Sequence, residues 1–187
     1  FTTGIQRGGL TALTLMALLL QRNTFNQSDN PDAGLRGFAF TMAIAGVGVG
    51  VGAILSPLGV AKFGRHVWIK ISLIAPIPFL ILIALITDKV LFTIAGFFLA
   101  GFGQCVKVSN DALVQSKISD IYRGRVFAFY DVAVNGAIVS GAILAAAILP
   151  KSGQSTLLPL LIAAIYLVTN LVLLRRSKFS ARFLSTN

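Results

Sequence analysis

The sequence predicts an all-α membrane protein with six transmembrane helices. Of its 187 residues, 56% are apolar and only 12% are charged, and glutamate is absent. A soluble domain could not hide so much apolar surface, because its outside must face water. Several apolar runs also approach the roughly 20 residues that a helix needs to cross a hydrocarbon layer of about 30 Å. Composition and run length therefore indicate the same class of protein.

The six predicted spans are apolar runs separated by short polar segments, and they cover about 1–21, 37–60, 67–87, 90–113, 126–150 and 156–174. The first span is marginal because Arg7 interrupts it. Either this helix begins upstream of Phe1, or the arginine side chain reaches back to the near membrane interface. In the third span, Pro76 and Pro78 predict a kink, since proline frees backbone carbonyls inside a helix.

Glycine alternates with valine in the second span, at residues 46–52. In a strand, this alternation would place glycine along one face, which is a weak arrangement. In a helix, the same residues form two overlapping GxxxG pairs that let a neighbouring backbone approach closely. The membrane length of the run favours the helix.

Polar segments connect or end the spans. Residues 22–36 predict a water-exposed loop rich in Asn, Asp and Gly, and residues 62–66 predict a tight basic turn. A short charged hinge at 120–125 separates the fourth and fifth spans, and a basic tail occupies 175–187. The chain is therefore interpreted as one six-helix transmembrane domain, residues 1–187.

The net charge of +10 is interpreted as a sign of membrane topology. A nucleic-acid-binding surface would gather its Lys and Arg residues on one polar face, whereas here they lie between apolar runs. One end of the predicted bundle carries Lys62, Arg65, Lys70, Lys117, Arg123, Arg125, Arg175, Arg176, Lys178 and Arg182; the other end carries Arg22, Arg36, Lys89 and Lys151. Basic residues concentrate on the cytoplasmic side, so both ends of the chain are predicted to be cytoplasmic.

Polar residues inside the spans are the candidates for a transport pathway, because ionisable groups in lipid usually face a cavity or a partner. Gln104, Lys107 and Asp111 share one helix face, and Asp131 shares a face of the next span with Asn135. We expect Lys107 to meet Asp131 or Asp111 as an inner gate. The alternative is local neutralisation of Lys107 by Asp111 within one helix.

Asp131 has two further interpretations. A carboxyl group in apolar surroundings can carry a proton, and the same acid early in its helix can also complement the positive helix end. Three other polar residues, Gln6, Thr41 and Asn110, can either line a cavity or make contacts between helices.

The sequence contains few of the residue patterns that an enzyme active site would need. Cys105 is the single cysteine and His66 the single histidine, so no internal disulfide and no paired Cys/His metal site is expected. An enzyme would need a nucleophile with a base, paired acids or metal ligands, and neither GxSxG nor HExxH occurs. The sequence implies no cofactor, and no filter-like loop suggests a channel.

Two motifs carry a family resemblance. The first is D-x-x-R-G-R-V-F between the fourth and fifth spans, formed by Asp120, Arg123, Gly124, Arg125, Val126 and Phe127. The second is the basic turn after the second span, where Lys62, Gly64 and Arg65 match the end of a longer signature, while Pro57 and Ala61 replace its Gly and Asp. In these motifs and its six spans, the chain resembles the C-terminal six-helix half of a major facilitator superfamily (MFS) transporter, closest to bacterial exporter-like members.

The resemblance implies a secondary active transporter in the bacterial cytoplasmic membrane. It implies alternating access, with export of an unknown small organic molecule in exchange for protons, and an N-terminal six-helix half as partner. Arg123 and Arg125 would lock the cytoplasmic side through carboxylate pairs, or would only fix topology and contact lipid phosphates. Because the chain starts at Phe1, a truncated remnant, a non-transporting scaffold and a dimer of half-size units remain alternatives.

Overall fold

Helices make up nearly all of the chain that the structure describes. The computed structural model describes residues 2–26, 31–117 and 120–184. The helices are α1 (Thr2–Leu20), followed by a π-helical turn (Gln21–Phe25), α2 (Pro31–Phe63), α3 (Arg65–Ile74), α4 (Ile77–Leu85), α5 (Lys89–Lys117), α6 (Asp120–Ile148) and α7 (Leu157–Leu184). The described residues contain no strand, which confirms the all-α prediction.

Five segments of the described chain are long and apolar enough to cross a membrane: Asp32–Phe63, Arg65–Leu85, Lys89–Ser116, Gly124–Ile148 and Leu157–Leu174. They coincide with the second to sixth predicted spans, and α3 and α4 together form the third. The predicted kink in that span is present, because the helix is interrupted between Ala75 and Pro76. The first predicted span corresponds to α1, which does not reach this apolarity. These five segments support the multi-pass membrane class, and α1 is not among them.

Three predicted polar segments differ from the structure. The charged hinge is not a loop, because α6 begins at Asp120 and residues 120–125 form its first turns. The predicted loop at 22–36 is shortened from both sides, by the π-helical turn and by α2, which begins at Pro31. Helix α7 also continues through residues 175–184 of the predicted tail. In each case the polar composition predicted exposure to water, and in the structure the helix extends beyond the apolar core.

Close glycine contacts join α2 to α5, the most extensive helix pair in the structure. A Cβ atom at Gly48 would collide with the carbonyl oxygen of Phe97, and one at Gly52 with that of Gly101. Open space surrounds Gly46 and Gly50 instead. The helical interpretation of the glycine run is thus confirmed, and one of its two glycine pairs makes the crossing.

A second glycine crossing joins α1 to α6. A Cβ atom at Gly8 would lie 2.6 Å from the carbonyl oxygen of Ala137, and one at Gly141 would collide with the carbonyl oxygen of Gly8. Helices α1 and α5 also contact each other, while α7 packs against α3 and α4. The apolar core includes Leu13, Leu80 and Tyr166. This arrangement leaves apolar side chains of α2 and α6 exposed.

Side-chain contacts identify which connections share an end of the bundle. At one end, Asn23 donates to the Lys151 carbonyl, Thr24 donates to the Ser152 carbonyl at 2.7 Å, and the Lys89 ammonium donates to Asn26 Oδ1 at 3.0 Å. At the opposite end, Arg65 follows the turn at Gly64, whose φ of +77° is one that glycine adopts readily. Lys89 and Lys151 thus lie at one end of the bundle and Arg65 at the other, as in the two groups that the sequence analysis separated.

Candidate functional site

The guanidinium of Arg7 lies against the middle of α5. Its Nη2 donates a hydrogen bond to Gln104 Oε1 over 3.2 Å. Helix α5 has 29 residues, so Gln104 lies about 20 Å from either end. Arg7 therefore points inward to a partner helix at mid-depth, and the expectation that it reaches back to the near interface is wrong.

The neighbouring residue Gln6 fixes α1 on α5 at this level. Its side chain is buried, and its Nε2 lies 3.5 Å from the carbonyl oxygen of Leu99. A Cβ atom at Gly103 would collide with the Gln6 amide, so the Gln6 side chain fills the space above this glycine. The Tyr166 hydroxyl donates to the Gln6 carbonyl at 3.2 Å, which adds α7 to the contact. Gln6 thus acts between helices, the second of its two predicted interpretations.

Lys107 and Asp111 form an ion pair one turn apart on α5. The Lys107 Nζ lies 2.5 Å from Asp111 Oδ2, and their side chains are 40% and 23% exposed. Tyr130 of α6 donates its hydroxyl proton to the other oxygen, Asp111 Oδ1, at 2.9 Å. Of the two partners expected for Lys107, the structure therefore shows Asp111. Asp131 and Asn135 are both exposed on α6.

Asn110 ties the same part of α5 to α1. Its Nδ2 donates to the hydroxyls of Thr2 and Thr3 over 2.6 and 2.9 Å. Like Gln6, Asn110 is a contact between helices. The cluster formed by Lys107, Asp111 and Tyr130 consequently lies where α1, α5 and α6 meet.

The motif residues of the family resemblance lie at one end of the bundle. The Arg65 Nη1 donates to Ser116 Oγ at 3.1 Å and so joins the start of α3 to the end of α5. The Lys62 Nζ lies 5.4 Å from the centre of the Phe63 ring. Gly124 and Arg125 are exposed on the first turns of α6, whereas the side chains of Asp120 and Arg123 lie outside the described part of the chain.

A cavity of about 250 Å³ opens beside Arg7, between α1, α2 and α5. Of the described residues in its lining, Arg7 alone is charged, and the other polar side chains are the hydroxyls of Thr11, Thr14 and Thr41. Apolar residues complete the wall, among them Phe92. Thr41 lines this cavity. It also makes contacts between helices, because it accepts from Gln21 Nε2 at 2.9 Å and lies 3.4 Å from Thr93 Oγ1, so both of its predicted interpretations apply. A second groove of about 460 Å³, lined mainly by apolar residues, runs between α1, α6 and α7.

Comparisons with known proteins point to one superfamily. The chain is 29% identical over 154 residues to two uncharacterized MFS-type transporters, one from Mycobacterium bovis and one from Mycobacterium tuberculosis. The similarity supports membership of the major facilitator superfamily. It covers 82% of this chain, and the matched part is 34% of each relative, so the chain spans about a third of their length. No family model and no solved structure matches the chain.

Two residues of the site were not identified as candidates by the sequence. Arg7 was read as a disturbance of the first span, although an arginine within a membrane helix is by itself a functional signal. Tyr130 follows the D-x-x-R-G-R-V-F motif, but its contact with Asp111 spans two helices. The missing information in both cases was the identity of the neighbouring helix.

Proposed function

We propose that the chain is the C-terminal six-helix half of a secondary active transporter that works by alternating access. The observation that carries the proposal is the row of charged and polar groups across α1, α5 and α6. Two contacting pairs lie along α5: Arg7 with Gln104, and Lys107 with Asp111. Ionisable groups inside membrane helices mark substrate and ion pathways. The relatives are named as transporters, which supports transport at the level of the superfamily.

In this proposal the cluster of Lys107, Asp111 and Tyr130 is the inner gate. The ion pair lies within α5, and the charge-assisted hydrogen bond from Tyr130 joins α5 to α6 and can break when the helices part. The basic motif residues lock the cytoplasmic side: Arg65 already bridges α3 and α5, while Arg125 is exposed and free to meet a carboxylate of the other half.

We further propose that transport is export driven by proton exchange. Asp131 is the proposed proton carrier, because it lies exposed on α6 next to the gate residue Tyr130. Asn135, one turn further on, would accompany it along the same face. This assignment separates Asp111, which pairs with Lys107 in the gate, from Asp131, the proposed proton carrier.

The proposed partners are the lipid bilayer and an N-terminal six-helix half. The exposed faces of α2 and α6 include Ile54, Leu58, Phe129 and Val132. A second half would cover such faces and supply the opposite wall of the cavity. The protein would reside in a bacterial cytoplasmic membrane with both ends of this chain inside, as the distribution of basic residues indicates.

Everted membrane vesicles that contain the full-length protein test the proposal. Respiration acidifies their interior, and a pH-sensitive dye reports the gradient. A transported compound should partly dissipate the gradient and accumulate in the vesicles, and the Asp131→Asn variant should lose the proton response. Vesicles that show neither effect with a broad panel of small organic molecules would favour a non-transporting scaffold. Transport by this 187-residue chain alone would favour a dimer of half-size units.

A further inference from the structure

We propose that the cavity beside Arg7 binds an organic anion, with one oxyanion group on the guanidinium and an apolar body against the cavity wall. The inference rests on the proposed function, because it names the class of molecule that the transporter would carry. It follows from the charge of Arg7, from its unused hydrogen-bond donors and from the lining of the cavity.

Arg7 is a cation without an acid among the residues that the structure describes. No described carboxylate forms an ion pair with it, whereas Lys107 has Asp111 at 2.5 Å. A guanidinium has five N–H donors, and the contact with Gln104 uses one of them. The other donors have no partner among the described residues. A charge packed against the middle of a membrane helix is costly unless it is compensated, so this position calls for an anion.

Gln104 orients the guanidinium rather than neutralising it. Its amide oxygen accepts from Nη2 and carries no formal charge. One end of the planar fork is thereby held against α5, while the rest remains free to meet a second acceptor. A carboxylate or phosphate matches this geometry, because guanidinium binds such groups through two parallel hydrogen bonds.

The cavity wall defines the rest of the ligand. The Thr11 hydroxyl donates to the Arg7 carbonyl at 3.0 Å, the Thr14 hydroxyl to the Leu10 carbonyl at 2.9 Å, and the Thr41 hydroxyl to the Gly37 carbonyl at 3.0 Å. With their protons held by their own helices, these hydroxyls add no donor for a second oxyanion. The remaining lining is apolar. The wall therefore fits a ligand with one anionic group and an aromatic or aliphatic body.

The first arm of the test measures the full-length protein without ligand. If no acid of the protein pairs with Arg7, the Arg7→Gln variant removes an uncompensated charge, and its Tm should equal or exceed that of the wild type. If another part of the protein supplies an acid for Arg7, the same substitution breaks an ion pair, and the Tm should fall by several degrees. That fall would overturn the proposal. Arg36→Gln, the same change at an exposed position of α2, is the matched control.

The second arm measures ligand binding in nanodiscs of phosphatidylcholine. Benzoate and phenyl phosphate should raise the Tm of the wild type, while benzamide and benzylamine should not. Arg7→Gln should weaken the apparent affinity for the two oxyanions about tenfold or more. Arg7→Lys should retain part of this affinity, and Arg36→Gln should retain all of it. Absence of the oxyanion effect in the wild type, or its full retention in Arg7→Gln, would overturn the proposal.

Three further outcomes separate this inference from lipid binding and from the proposed transport function. Phosphatidylglycerol also carries an oxyanion, so stabilisation by this lipid in place of benzoate would assign Arg7 to lipid binding and overturn the proposal. Arg7-dependent binding of benzoate without any transport in vesicles would support the anion site and count against the transporter. Transport of a cation or neutral molecule that is unaffected by Arg7→Gln would support the transporter and count against the anion site.

Discussion

The two cations in the middle of the bundle, Arg7 and Lys107, have opposite surroundings. Lys107 lies one helical turn from Asp111, and Tyr130 supports the same carboxylate from α6. Arg7 contacts only a neutral amide among the described residues, although Gln104 is one turn from Lys107 on the same helix. A neutralised charge can hold helices together, whereas an uncompensated one can bind a ligand. This difference is why we assign Lys107 to the gate and Arg7 to the substrate.

The largest expected effect comes from a substitution that disturbs the surroundings of Lys107. Gly141→Ala places a methyl group against the backbone of Gly8 and forces α6 away from α1. We expect a loss of about 3 kcal/mol in unfolding free energy, typical of overpacking against a backbone that cannot yield. Tyr130 moves with α6, so its bond to Asp111 weakens as well. Thermal unfolding of the full-length protein measures the loss.

The control for this substitution is Gly136→Ala on the same helix, where a new Cβ atom would meet nothing within 4 Å. Alanine is the better helix former, so this change should be neutral or slightly stabilising. Equal Tm values for the two variants would contradict the close crossing of α1 and α6.

The next effect concerns the shared carboxylate. Asp111→Ala leaves the Lys107 ammonium without its anion and the Tyr130 hydroxyl without its acceptor. We expect a loss of about 2 kcal/mol, because both groups are partly buried and charge-assisted bonds contribute more than neutral ones. Chemical denaturation of the full-length protein checks this value. Asp131→Ala, at an exposed carboxylate of α6, is the control. A similar loss of unfolding free energy in this variant would contradict a specific contribution of Asp111 to stability.

Part of this comparison could be predicted from the sequence. The spacing of Lys107 and Asp111 placed them on one helix face, and local pairing was one of the two stated outcomes. The apolar runs likewise predicted the membrane helices, because hydropathy and length act within a single segment. The contact of Arg7 with Gln104 depends on how α1 lies against α5, which no local pattern specifies. The charged start of α6 was predicted as a hinge, because its composition indicates water but does not distinguish a loop from an extended helix.

A smaller effect isolates the contribution of α6 to the cluster. Tyr130→Phe removes the hydroxyl that donates to Asp111 Oδ1 and keeps the ring. We expect a loss of about 1 kcal/mol, the usual net contribution of one hydrogen bond. Tyr122→Phe, at an exposed position of the same helix, should leave the unfolding free energy unchanged. If the two variants behave alike, the bond between α5 and α6 does not contribute to stability.

The smallest expected effect on stability belongs to Lys107→Met, and its main readout is transport. A partly exposed ion pair one turn apart contributes only about 0.5 kcal/mol, so the variant should remain folded. If the pair is a gate, the substitution leaves Asp111 without its cation and should slow transport in everted vesicles. Lys151→Met, at an exposed lysine at the opposite end of the bundle, is the matched control. Unchanged transport by Lys107→Met would remove Lys107 from the gate and leave Arg7 as the one functional cation of the pair.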